Sequence, residues 1–327
     1  MYESEISAAR ELVAEACALT RRVQNDVVAN ADSLTKSDRS PVTLADLTVQ
    51  AVIGYRLSAL FPDDAFLAEE NSDSLDASPT MPGKVGMLVR SAVPGLDETH
   101  IAAALDRGNH PGGADGRHWV LDPVDGTKGF LRGQQYAIAL ALVDEGRVVV
   151  GSLGCPNLPA PGERGNGTGW IFHAARGAGA WATPCGGGEA AAATVDSIAD
   201  SAAATFCESV EAAHAAHSVQ AGIARRLGIT REPYRIDSQC KYAVLARGEA
   251  SIYLRLPRDE SYREKVWDHA AGTLVVTEAG GRVSDLDGRP LDFSKGRLLG
   301  SGRGIVCTNG AIHDRVLEAC RAELGLD

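Results

Sequence analysis

The sequence predicts an α+β protein, and three observations carry that prediction. Apolar residues near the start recur at helical spacing, residues 117–184 pattern as a β-meander, and beyond about residue 205 strands and helices follow one another in turn.

Ile6, Val13, Cys17, Thr20 and Val27 predict one long N-terminal amphipathic helix. "SPVTLADLTVQAVIGYRLSALFP" reads as a turn and then a helix from about Asp46 to Leu60, stopped by Pro62. "AFLAEE" is a short strand ending on two carboxylates, Glu69 and Glu70. Residues 71–117 predict two helices, around 82–92 and 97–106, and then the loop "GNHPGGADGRH". "HWVLD" is a buried strand. "YAIALALVDEGRVVVGSLGCP" is a hairpin turning at Asp144-Glu145-Gly146, and "GWIFHAARGAGAWA" continues the meander. The Ala/Gly-rich stretch from Thr183 to Thr205 has little pattern and suggests a boundary between residues 1–195 and 196–327. "ATFCESV" (strand), "SVQAGIARRLGI" (helix), "YRIDSQCKYAVLARGEASIYLRL" (strand, helix, strand), "WDHAAGTLVVTEAGG" (helix) and "DRVLEACRAEL" (helix) complete the chain.

A length of 327 residues suits one large domain or two packed ones. The net charge of −11 and pI near 5.2 argue against a broad basic surface, and so against nucleic acid as a partner. Seven scattered cysteines without a C-x-x-C pair argue against a zinc site or a disulfide framework. They predict free thiols and a reducing compartment. No apolar run reaches the roughly 18 residues of a membrane span, and "MYESEISAARELVAEACAL" lacks signal-peptide character. These features predict a cytoplasmic protein, or an organellar one if a transit peptide has been removed. The oligomeric state is open, a monomer included.

Acids recur where strands end and helices begin: Asp46, Glu69 with Glu70, Asp122 with Asp125, and Asp268. Singly each has an ordinary reading, Asp46 and Asp268 as N-caps and the glutamates as solvated loop charges. The run "WVLDPVDGTKGFLRG" resists that reading. Pro123 fixes its own φ and keeps Asp122 extended, Asp125 returns to the same side, Gly126 permits a tight backbone, and Thr127 adds a hydroxyl. With the Val124 carbonyl this is a set of hard oxygen ligands, which suits Mg²⁺ over zinc or copper. Two like charges about 4 Å apart repel by roughly 1 kcal/mol in water and about 4 kcal/mol at an effective dielectric near 20. Several acids converging in a cleft therefore call for bound cations.

With "LAEENS" before that run and "VWDHAAGTLVVTEAGG" after it, the sequence resembles the lithium-sensitive, magnesium-dependent phosphatases that include inositol monophosphatase. "TKGFLRGQQYAIALAL", "GCPNLP", "IDSQCKYAVLARGEASIYLRLP" and "SYREKVWDHAAG" look like the 3'(2'),5'-bisphosphate nucleotidase branch. The resemblance spans "AARELV" to "PLDFSKG". It implies a layered α/β/α/β/α sugar-phosphatase fold with the active site between its halves. It also implies two to three Mg²⁺ ions held by Glu69, Asp122, the main-chain oxygen of Val124, Asp125 and Asp268. Asp46 and Thr127 would orient or activate the attacking water, with Thr127 and Asp268 also touching substrate. Glu70 would stand behind the ligands, and Asn71, where the family often has Ser or Asp, lies outside them.

Ser238, Lys241 and Arg255 match family positions that contact the nucleotide and its 5'-phosphate, and His214 matches a nucleotide-contacting histidine. Without the family, Lys241 and Arg255 are ordinary surface residues, and His214 with His217 a solvated helix face. Lys128 and Arg132 are assigned no role. The implied partner is a small molecule, adenosine 3',5'-bisphosphate, with 3'-phosphoadenosine 5'-phosphosulfate as a further substrate. Two alternatives stand beside this: an inositol monophosphatase or polyphosphate 1-phosphatase, and a non-catalytic phosphonucleotide sensor.

Overall fold

Helices and two sheets stack as five layers in a computed structural model that describes residues 2–29, 40–210, 217–256, 262–300 and 304–326. The helices are α1 (Glu3–Ala29), α2 (Ser40–Leu60), α3 (Met81–Ala92), α4 (Glu98–Asp106), α5 (Thr127–Leu131), α6 (His217–Leu227), α7 (Cys240–Ala246), α8 (Ala270–Glu278) and α9 (His313–Leu324). The first sheet runs in chain order: β1 (Ala65–Ala68), β2 (Arg117–Asp125), β3 (Ala137–Asp144), β4 (Arg147–Cys155), β5 (Trp170–Ala175), β6 (Ala180–Pro184) and β7 (Ala191–Ala193). β1 and β2 are parallel and the rest antiparallel. The second sheet comprises β8 (Phe206–Glu208), β9 (Tyr234–Arg235), β10 (Ile252–Arg255), β11 (Arg282–Ser284) and β12 (Ile305–Thr308), ordered β11-β12-β10-β8-β9.

Strand periodicity decides which layer each side chain enters. Along β3, Ile138, Leu140 and Leu142 pack toward α1 and α2, whereas Ala137, Ala139, Ala141 and Val143 face the layer holding α7 and α8. The small side chains on that face leave room for α8, whose Leu274 and Val275 are fully buried there. The same core cluster takes Tyr253, Ile305 and Cys307 from the second sheet, so one continuous core joins the two sheets. α6 and α9 cover the far face through Ile223, Leu227, Val316 and Cys320. The hairpin joining β3 and β4 turns on Glu145 and Gly146, both at positive φ (49° and 72°), as a two-residue turn of this twist requires.

α1 buries Ala9, Val13, Ala16, Cys17, Thr20 and Val23 along one stripe, as expected. α2 differs from expectation. It starts at Ser40, with the turn-like Ser-Pro pair inside its first turn, where a proline's missing N–H costs nothing. Its residues are buried on two faces: Ala45, Val49, Ile53 and Leu57 against the first sheet, Leu47, Ala51 and Val52 against α3 and α4. β7, β11 and β12, each three or four residues long, were not anticipated. All seven cysteines are free thiols, and no described helix is long and apolar enough to cross a membrane.

Candidate active site

A β-bulge brings Asp122 and Asp125 to one face. Asp122 pairs with Ala139 and Asp125 with Ala137, so β2 carries one residue more than its partner over this stretch. In an unbroken strand residues three apart point to opposite faces; the extra residue restores them to the same one. Pro123, which has no N–H to give to the ladder, is at home in the bulge. Both aspartates thus lie on the face of Ala137 and Ala139, toward α7 and α8, while Val124 packs into the core beneath α1 and α2. Gly126 follows at φ 96°, and a Cβ there would approach the Cβ of Ser238 within 2.8 Å. Thr127, half-buried, opens α5 immediately after this turn.

Because β1 and β2 are parallel, their C-terminal ends lie side by side. Ala68 pairs with Leu121, and the next residues on each strand are Glu69 and Asp122. Gln50 of α2 holds this end of β1: its Nε2 donates to the Glu70 carbonyl (2.6 Å), and its Oε1 accepts from the Glu70 N–H (3.0 Å). Asp46 lies one turn before Gln50 on the same helix face. It is buried within α2, so the N-cap reading for Asp46 is wrong. Arg297 secures the strand end from the other side, donating to the Ala68 carbonyl (2.6 Å) and stacking over Trp267 at 4.8 Å. That places the turn carrying Asp268 near Glu69. Asp268 precedes the N-cap of α8, which is His269, so it too is no cap.

The acids act on one another. Burial pushes Asp46 well above the usual carboxylate range, reinforced by Glu69 and Glu70. Burial and then Glu69, Asp125, Asp268 and Asp46 do the same to Asp122. Glu69 is exposed at its outer side, yet burial of its carboxyl and the charges of Asp268, Glu70 and Asp125 raise it to about 8. Burial also raises Asp268, against the pull of His269 and Arg255, to about 6. Asp122 Oδ1 is buried without a hydrogen-bond partner. Five acids from four segments therefore lie close enough to act on one another's charge, and among them Asp122 Oδ1 is buried without a partner.

Behind Asp268 lies a second group. Arg255 Nη2 reaches Asp268 Oδ2 at 3.3 Å, and Arg255 Nε reaches both oxygens of Glu264 at 2.9 and 2.8 Å. His269 Nε2 stands 3.1 Å from Glu264 Oε2, and its Nδ1 is 2.9 Å from the Tyr242 hydroxyl. Among the described residues, Glu264, Asp268 and His269 form the one trio of metal-capable side chains with ligand atoms within 4.8 Å of one another. The Arg255 guanidinium already sits on two of the three, which makes the trio an ion-pair network. No three of the five predicted acids come that close, so their oxygens are more widely spaced.

Of the predicted nucleotide contacts, Ser238 and Lys241 sit at the start of α7 and Arg255 at the end of β10. Lys241 is buried rather than a surface residue. Its Nζ donates to Ser209 Oγ at 3.2 Å, and burial lowers its pKa against the charges of Cys207 and Asp125. Arg255 is turned onto the carboxylates just named. His214 lies outside the described residues. Gln50, Gln239 and Arg297 were not singled out from the sequence. Gln239 stood inside the quoted "DSQCKY" segment, but nothing in its spacing marked it.

The model of the inositol monophosphatase family matches residues 1–324. A 3'(2'),5'-bisphosphate nucleotidase of Emericella nidulans is 40% identical over 354 residues, covering 99% of each chain. One of Oryza sativa is 44% identical over 337 residues, covering 97% of this chain and 94% of its own. Among solved structures, the extragenic suppressor protein SuhB of Bartonella henselae superposes with a TM-score of 0.65 at 19% identity, over 98% of this chain and 99% of its own. An inositol monophosphatase from Zymomonas mobilis gives 0.63 at 18% identity, with 98% and 99% covered. At those identities the structures speak for the fold alone.

Proposed function

The chain belongs to the inositol monophosphatase family, and on that premise we propose that it hydrolyses the 3'-phosphate of adenosine 3',5'-bisphosphate, releasing AMP and phosphate. The observation that carries this reading is the set of mutually repelling acids around the unpartnered Oδ1 of Asp122. The donors are hard oxygens throughout, and their spread suits two to three Mg²⁺ ions shared between them better than one closed cage. Glu69, Asp122, the Val124 main-chain oxygen, Asp125 and Asp268 would hold these ions. When bound, they offset charge on the phosphate oxygens and lower the pKa of water.

The protein's own groups do the rest. Asp46, buried on α2 one turn before Gln50, is assigned to take a proton from the attacking water. Thr127, at the start of the short α5, supplies a hydroxyl to hold that water in line. Phosphoryl transfer needs positioning and charge stabilisation more than a protein nucleophile, and none is required here. Lys241 and Arg255 supply the fixed cations for a second phosphate, with the Ser238 hydroxyl between α7 and the Asp125 turn. His214 is assigned to the nucleotide on its motif alone. The same pocket chemistry accommodates 3'-phosphoadenosine 5'-phosphosulfate, and Li⁺ should inhibit by competing for one Mg²⁺ position.

The test is phosphate release with Mg²⁺ from adenosine 3',5'-bisphosphate, 3'-phosphoadenosine 5'-phosphosulfate and inositol monophosphate. The nucleotide kcat/KM should exceed that of inositol monophosphate by orders of magnitude. The reverse order would overturn the substrate assignment, and no Mg²⁺-dependent release from any of the three would overturn the enzyme.

A further inference from the structure

We propose that Gln239 is a positioning residue that decides which carboxylate oxygens of Asp122 and Asp125 are left open to a cation. It rests on the metal reading above and adds to it a residue that touches neither substrate nor ion. Gln239 is buried, and it meets both aspartates with different groups. Its main-chain N–H donates to Asp125 Oδ2 at 2.5 Å, and its side-chain Nε2 donates to Asp122 Oδ2 at 3.3 Å. The same Nε2 donates to the Trp267 carbonyl at 3.1 Å, one residue before Asp268. One residue at the N-cap of α7 thus ties the bulge of β2 to the turn before α8.

The orientation of the amide is fixed by its neighbours. Turned over, the Gln239 oxygen would face the Trp267 carbonyl, two acceptors with no proton between them. As placed, Oε1 is left buried without a partner, a cost accepted only if the two donor contacts outweigh it. The consequence for the aspartates is that each has one oxygen engaged. Asp122 keeps Oδ1, which has no partner, and the bond from the Gln239 N–H engages only Oδ2 of Asp125. A carboxylate with one oxygen held by a hydrogen bond ligates through the other, as a single-point donor. Mg²⁺ demands compact octahedral geometry, whereas Ca²⁺ takes more oxygens and readily accepts both from one carboxylate. Gln239 therefore favours the smaller ion.

The Gln239→Met variant keeps the length and packing of the side chain and removes the donor. The main-chain contact to Asp125 survives. Calorimetric titration of chelator-stripped wild-type and variant protein, with Mg²⁺ and with Ca²⁺, reads the effect without turnover. The expected result is Mg²⁺ binding weakened on the order of tenfold or more, as for partners that orient ligands, with Ca²⁺ binding unchanged or tighter. Equal weakening of both ions, or no change in either, overturns the inference while leaving the metal site standing. A wild-type protein that binds neither ion overturns the metal site itself, and this inference with it. A melting curve of the stripped variant checks its fold; should Gln239→Met not fold, Gln239→Asn keeps the amide, falls one methylene short of Asp122, and must show the same shift between the two ions.

Discussion

Glu264 and Asp268 stand four residues apart and share Arg255 and His269, yet they end in opposite electrostatic states. Burial works against both. At Glu264 the bonds and charges of His269 and Arg255 outweigh it and hold the carboxyl near 2. At Asp268 the same two partners are opposed by Asp125, and the group rises to about 6; Glu69 reaches about 8. The network behind the site is balanced within the protein, with Glu264 held by Arg255 and His269, and His269 in turn meeting the Tyr242 hydroxyl. The set of acids in front of it is unbalanced. Repulsion that folding leaves in place is what a site for external cations looks like, whereas balanced charge is structural.

The sharpest break of this comparison is Asp46→Asn. If Asp46 takes the proton from water, kcat should fall by about 10²–10⁴-fold, the usual worth of a positioned base. Mg²⁺ binding, read by calorimetry on the same protein, should stay near wild type because Asp46 is not among the ligands. A variant with near-normal kcat would remove Asp46 from the chemistry.

The two carboxylate regions should also respond with opposite signs to loss of charge. Glu264→Gln breaks a largely buried pair and leaves Arg255 to Asp268 alone. Its expected cost is roughly 2–3 kcal/mol in urea unfolding, toward the low end for such pairs because the Arg255 side chain is 30% exposed. Asp122→Asn keeps the acceptor for Gln239 and removes a charge that the folded, metal-free protein resists. That variant should be inactive and yet more stable than wild type in the presence of a chelator. Destabilisation by both substitutions would erase the distinction drawn here.

The acid turn was legible in the sequence because its cause is local. Proline in an apolar strand, flanked by aspartates three apart, forces the bulge that puts both on one face. α2 was misread at its start because Ser-Pro is turn chemistry in most settings, and only packing on both faces carries the helix back to Ser40. The residues that hold the site together were not legible. Gln50 bonds to the backbone of Glu70, Arg297 to the backbone of Ala68, and Gln239 to acids more than a hundred positions away. A side chain whose partner is a distant main-chain atom leaves no spacing in the sequence to read. The short β7, β11 and β12 were missed for a related reason, since three or four residues are too few to show alternation.

The smallest effect, the pH dependence of stability without metal, separates the regions most finely. An acid whose pKa is raised on folding binds its proton more tightly when folded, so its contribution is present at low pH and lost as pH rises through the folded value. Glu69, raised from 4.5 to about 8, acts this way, as do Asp46 and Asp122. Below about pH 7.5 the trend is masked. His118, His173 and His313, each lowered by burial from 6.5 to about 4, gain stability as pH rises over that span and oppose the acids. Glu264, lowered to about 2, has already finished its change. Between about pH 7.5 and 8 those histidines are neutral in both the folded and the unfolded chain, and the acids are exposed as the source of the slope. Chelator-treated protein should lose stability steadily over that window in urea titrations. With saturating Mg²⁺ the slope should flatten or reverse, because cations bind the ionised acids and only the folded chain gathers them. A metal-free protein equally stable at both ends of the window would mean that the acids do not repel one another as the structure places them.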